Sequence, residues 1–258
     1  MSNSLQCSQP IPLLDSVLPL MENQSLDRFV YIVKAYCMRP DTRVAAMLPL
    51  LEKILSRLPA GSMGGAAPHP MALLLEDDST LSPNSTANTT PLYASKMWNQ
   101  LQKLLEPQLA GTAATISHPI LLAYVSLVGA PAVPVSDAES VLRHIVMALT
   151  ITSSPLERDL KASAVIALKK YISEYSDLLV PHLGAIVPQL LSISQSHPPR
   201  ARAASLECLF AISQTTPYIT LHPMKIGVVK GLIKTLDDPK VAVRLLAAKA
   251  RNAWISLK

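Results

Sequence analysis

Pro199-Arg200-Ala201-Arg202-Ala203-Ala204 has a counterpart on either side of it along the chain. Upstream stands Pro155-Leu156-Glu157-Arg158-Asp159-Leu160-Lys161-Ala162, and downstream Pro239-Lys240-Val241-Ala242-Val243-Arg244-Leu245-Leu246. The three align at a spacing of about 41–42 residues, inside the range of two-helix solenoid repeats. In each, a proline opens a helix, an apolar residue precedes Lys or Arg, and a stripe of small residues follows. The preceding segments align as well. Val180-Pro181-His182 falls on Leu221-His222-Pro223 within one position, and Val187, Leu190 and Leu191 fall on Val229, Leu232 and Ile233. The pattern predicts an all-α chain, a HEAT-repeat (armadillo-like) α-solenoid of antiparallel helix pairs. Such a fold points to binding rather than catalysis.

Composition agrees. Hydrophobic residues make up 49% of the 258 residues and aromatics only 4%, which suits helix seams filled by Leu, Ile, Val and Ala. The net charge of +5 is spread along the chain without the Lys/Arg runs of a nucleic-acid binder, so it suits an acidic protein surface at least as well. Cys7, Cys37 and Cys208 lie far apart with no Cys-x-x-Cys pair, which reads as a reducing compartment, with Cys37 and Cys208 buried. The N-terminus lacks a secretory pattern. The apolar stretch 119–135 is broken by Gly129, Pro131 and Pro134, short of the roughly 20 uninterrupted residues a membrane span needs. The expectation is a soluble, intracellular protein.

Three regions follow. Residues 1–58 read as helical hairpins of a partial repeat, with helices from Ser25 to Tyr36 and from Asp41 to Leu58. Residues 59–90, with Gly61, Gly64, Gly65, Pro68 and Pro70 before a Ser/Thr/Asn tract, read as a disordered loop. Within that loop Met71–Leu75, followed by Glu76, Asp77 and Asp78, could be a short docking piece. Residues 91–258 read as the solenoid. Ser136 with Glu139, and Ser154 with Glu157, predict capping boxes; Pro155 is expected at a first helical position, and Asp238-Pro239 repeats the cap-then-proline device.

Chemistry is sparse. His69, His118, His144, His182, His197 and His222 are scattered without metal-ligand spacing, and no phosphate loop or nucleophile motif occurs. No catalytic, cofactor-binding or metal-binding residue is assigned, and a non-enzymatic role is expected. Lys161, Arg202 and Arg244 admit two readings: a basic ladder facing an acidic partner, or polar stitching between repeats, with Asp237 or Asp238 serving Arg202. The second is favoured. Trp254 either caps the apolar end of the solenoid or anchors a partner. The surface expected to contact partners comprises Lys225, Lys230, Lys234, Lys249, Arg251 and Trp254, with Lys169 and Lys170 as further exposed charges.

The last helix carries a more specific signature. Leu236-Asp237-Asp238, Lys240, Val243-Arg244, Ala247, Ala250-Arg251 and Trp254 resemble, in order and spacing, the extreme C-terminus of the MMS-nineteen nucleotide excision repair family. The repeat before it, with Arg202 and Ala204 leading into Leu206-Glu207-Cys208, is similar too, and the resemblance covers about 136–258. It implies a C-terminal piece or shortened form of a long HEAT-repeat adaptor of the cytosolic iron–sulfur assembly (CIA) machinery. The implied partners are a WD40 propeller subunit and a small cysteine-bearing subunit of the CIA targeting complex. Iron–sulfur clients such as helicases and polymerases would be reached indirectly, in cytoplasm and nucleus, without direct nucleic-acid or membrane binding. No cofactor is implied for this chain, and its three cysteines fall short of the four ligands a cluster usually takes. The competing reading is a generic HEAT scaffold for nucleic-acid-linked or nuclear-transport assemblies.

Overall fold

The structure, a computed structural model, describes residues 98–258 apart from 100, 104, 113–114, 130–136 and 153. The expected helical hairpins of 1–58, the 59–90 loop, its 71–78 piece and Cys37 lie outside the described residues. The seven longer helices are α1 His118–Val128, α2 Ala138–Thr150, α3 Glu157–Ile172, α4 Leu183–Ser196, α5 Pro199–Thr215, α6 Tyr218–Gly231 and α7 Val241–Ile255. A short helix, Ser176–Leu179, and a 3-10 turn, Val180–His182, lead into α4, and a 3-10 segment, Leu232–Asp237, extends α6. There is no strand among the described residues.

Helices α3, α5 and α7 begin at residues 157, 199 and 241, a 42-residue step, and pack side by side in one layer. The second layer is α2, α4 and α6, each packed on the helix that follows it in the chain. Two-residue turns at 197–198 and 216–217 make consecutive helices antiparallel. The expected all-α architecture is what the described residues form.

Burial follows the layers. Helix α3 is enclosed by α1, α2 and α5, so Leu160, Ala162, Ala164, Val165, Ala167, Leu168, Tyr171 and Ile172 are all buried, and no single apolar stripe describes it. Its small residues let α1 come close: a Cβ on Gly129 would sit 3.4 Å from the Ala167 backbone, and Ser126 Oγ donates to Ser163 Oγ at 3.1 Å. Helix α7 has only one packed face, Val243, Ala247, Ala250 and Trp254, at helical spacing.

Two expected capping boxes take another form. At α2 the cap is Asp137, whose Oδ1 accepts from Ser140 N at 3.2 Å; Ser136 lies outside the described residues. At α3 the helix begins at Glu157, so Pro155 precedes it rather than opening it. Ser154 Oγ accepts from Leu156 N, while the Glu157 carboxylate turns to Lys161 at 2.6 Å. The last turn uses the same device, Asp238 Oδ1 accepting from Lys240 N at 2.8 Å before α7 starts at Val241. In both, a side chain bonds the amide two residues on and closes a turn instead of capping a helix, because proline between the two residues bends the chain away from helical geometry.

The segment Ser176–Ser196 is long and apolar enough to cross a membrane by length and composition. Here it is divided into three helical pieces and packs through α4 on α5, α2 and α6. Its apolar face is the seam of the second layer.

Candidate partner-binding surface

The basic row resolves into separate local contacts. Arg202 NH2 donates to Asp238 Oδ1 at 2.9 Å and NH1 to the His197 carbonyl at 2.8 Å, while Nε lies 2.7 Å from Asp238 Oδ2 as an ion-pair contact. The pair links the first turn of α5 to the turn before α7. Arg244 NH1 donates to the Asp238 carbonyl at 2.7 Å, so one turn receives both arginines. Lys161 instead pairs with Glu157 in its own helix and leaves only 7% of its side chain exposed. None of the three is a free inner ladder. The stitching reading describes Arg202 alone: Arg244 bonds the turn that precedes its own helix, and Lys161 pairs within its own helix, so neither spans two repeats.

Burial pushes the Asp238 carboxyl up, but the Arg202 hydrogen bond, the Lys240 amide and the charges of Arg202 and Arg244 outweigh this and hold it below its ordinary value. His197, at the end of α4, is shifted down to about 4 by burial and then by the charges of Arg158 and Lys161, with Glu157 opposing. Its Nε2 is buried without a hydrogen-bond partner, and Nδ1 lies 3.1 Å from Ser196 Oγ. Between pH 6.5 and 4 the unfolded chain takes up the proton that folded His197 refuses, so stability falls as pH drops through that window. Below it, protonation of Asp238 removes a second contribution. Thermal melts should therefore show lower Tm at pH 5 than at pH 7, with a smaller difference in His197→Gln. An identical difference in both proteins would contradict this.

Other lysines are also engaged between neighbouring elements. Lys169 pairs with Glu207 across α3 and α5 at 2.6 Å, and Lys170 Nζ is 3.4 Å from the Val128 carbonyl. Of the residues expected to face partners, Lys225 donates to the Leu257 carbonyl at 2.9 Å and lies 5.7 Å from the Tyr218 ring centre. Lys249 is exposed, its ammonium 4.2 Å from the Phe210 ring centre, a cation–π contact. Arg251 is half-buried, with Nε lacking a partner. Lys230 and Lys234 are exposed, and no described residue pairs with them.

Trp254 corrects an expectation. It is fully buried, and its indole N–H donates to the Leu209 carbonyl of α5 at 2.8 Å, so it is a core residue of the α5–α7 seam and offers a partner nothing.

Cys208 is likewise internal. Its thiol contacts the Val165 carbonyl at 3.6 Å, and burial pushes its pKa far up. It should resist alkylation in the folded protein and react only in denaturant, as peptide mapping by mass spectrometry would read out; rapid labelling under native conditions would be the opposite result. No group of three or more His, Cys, Asp or Glu residues suited to a metal occurs among the described residues.

What the sequence reading passed over is a set of exposed isoleucines. Ile219, Ile226 and Ile233 are 83%, 69% and 50% exposed along α6 and its extension. Val241, Leu245 and Ile255 are exposed on α7, opposite its packed face. The seven-residue spacing of the isoleucines was the available signal, but an apolar residue in a repeat position reads as core until a neighbour is found missing.

A family model described as "RNAPII transcription regulator C-terminal", MMS19_C, matches residues 7–213. The chain belongs to the MMS19 family. The DNA repair/transcription protein mms19 of Schizosaccharomyces pombe is 25% identical over 240 residues, covering 92% of this chain and 23% of that protein. The MMS19 nucleotide excision repair protein homolog of Arabidopsis thaliana is 24% identical over 255 residues, with 92% and 22% covered. The Homo sapiens homolog is 33% identical over 95 residues, with 37% and 9% covered. This MMS19-family chain thus spans less than a quarter of the length of these relatives. The stitched turn and buried Trp254 belong to the packing of its described repeats.

Proposed function

We propose that this chain is a non-enzymatic adaptor module of the cytosolic iron–sulfur assembly targeting complex. It docks the WD40 propeller subunit and the small cysteine-bearing subunit, in cytosol and nucleus, so that iron–sulfur clusters reach apo-proteins of DNA replication and repair. The observation that carries this reading is membership of the MMS19 family, whose relatives are named as DNA repair and transcription proteins. One feature of the structure supports it: the exposed apolar side chains of the last helix pair suit protein contact. The cluster is cargo in this scheme, passed between other proteins that this chain brings together.

Purified chain mixed with the propeller and small subunits at micromolar concentration should elute as one complex on size exclusion. Separate elution of all three would remove the proposal. The nucleic-acid reading is less favoured, because Arg202 and Arg244 are spent on the Asp238 turn. Tight DNA binding that weakens steeply with added salt would restore it.

A further inference from the structure

We propose that the outer face of α6 and its 3-10 extension, built on Ile219, Ile226 and Ile233 with Lys230 and Lys234, docks an acidic amphipathic helix of a partner protein. The proposal deepens the adaptor reading and rests on it for the existence of a partner. Seven residues are 20° short of two α-helical turns, so Ile219 and Ile226 lie almost in line, about 10 Å apart, and the 3-10 segment carries Ile233 on along the same side. The result is a straight apolar ridge about 20 Å long, opposite the buried Leu221 and Val228. A helix with leucines at i, i+3/i+4 and i+7 matches that spacing.

The repeat shows what covers the last position of this ridge. Ile233 stands 42 residues after Leu191, and Leu191 is packed by the next helix of its own layer: a Cβ placed on Gly231 of α6 would lie 3.2 Å from the Leu191 methyls. Ile233, at the equivalent position, is 50% exposed, with no described helix on it. One repeat earlier Asp177 and Gly184 stand where Ile219 and Ile226 do, and both are exposed, so the repeat bears only on the Ile233 end of the ridge.

Charge selects the partner: from Tyr218 to Asp237 the segment carries Lys225, Lys230 and Lys234 against Asp237 alone. Lys225 is occupied by the Leu257 carbonyl, which leaves Lys230 and Lys234 to meet carboxylates on the flanks of the docked helix.

The test uses the full chain and two synthetic helical peptides of about five turns, alike in their leucine stripe, one flanked by Glu and the other by Lys. Fluorescence anisotropy should show micromolar binding of the Glu-flanked peptide and at least tenfold weaker binding of the Lys-flanked one. Ile226→Glu should weaken the first by tenfold or more with an unchanged melt, since the side chain is 69% exposed. Lys230→Glu combined with Lys234→Glu should reverse the peptide preference. Equal affinity for both peptides, or binding indifferent to all these substitutions, overturns the proposal. So does self-association of the wild type, or sedimentation with phosphatidylserine vesicles, that is lost in Ile226→Glu; either would hand the ridge to a second copy or to lipid. Peptide binding lost in Ile226→Glu while co-elution with the propeller and small subunits persists supports the ridge and moves the adaptor contact elsewhere. Peptide binding without any co-elution supports the ridge and removes the adaptor assignment.

Discussion

Replacing Trp254 with alanine should lower the stability of the chain by about 3–5 kcal/mol, the range for deleting a large buried aromatic side chain. Trp254 is fully buried at the seam between α5 and α7, among the few large side chains that α7 contributes to the core. Its companions, Val243, Ala247 and Ala250, are small and fill little of the space it would leave. Trp254→Phe keeps most of the buried ring but forfeits the indole hydrogen bond. The Leu209 carbonyl lies inside α5 and retains its own helical partner, so this variant should cost only about 1 kcal/mol beyond the volume change. Urea unfolding monitored by far-UV circular dichroism measures both. A loss below about 1 kcal/mol for the alanine variant would mean that α7 is not docked as described.

The second large effect concerns Arg202 and Asp238. Their side chains are 14% and 7% exposed, so removing either partner strands a desolvated charge. Arg202→Ala and Asp238→Ala should each cost about 3 kcal/mol, at the lower end for breaking a buried pair because both retain some solvent. Asp238→Ala also loses the Lys240 amide contact that closes the turn before α7. The double alanine variant should cost clearly less than the sum of the two, since the stranded charge is then gone; additive losses in a double-mutant cycle would show that the residues do not interact. Because the pair joins two successive repeats, Asp238→Ala should also raise amide hydrogen exchange in α7 before it does so in α3.

These two sites mark how far the sequence could be read. The 42-residue recurrence of proline, basic residue and small-residue stripe was enough to predict helix pairs, because each repeat must bury the same face against its neighbour. That an acid of the Asp237–Asp238 turn would serve Arg202 was also legible, since that turn is within reach if the repeats stack; which of the two serves it was decided by the structure. Cap chemistry was less so. Ser154-Pro155 and Asp238-Pro239 contain cap-forming residue types, but whether a short polar side chain caps a helix or closes a turn depends on where the first helical residue falls, a matter of one or two positions. At Trp254 the sequence left two readings, capping the apolar end or anchoring a partner, since a tryptophan near the end of a helix has the same local sequence whether it points inward or outward.

Sequence alone determined the helical class, the repeat length and the family resemblance, all of which are periodic or ordered properties of neighbouring residues. Which side of each helix is covered was settled only by the stack itself. Val243 and Leu245 are two residues apart, yet one packs on α5 and the other faces solvent. Ile233 repeats the apolar character of Leu191, but no described helix lies on it as α6 lies on Leu191. Burial depends on what lies alongside, and that is a property of the assembled layers that no single repeat contains.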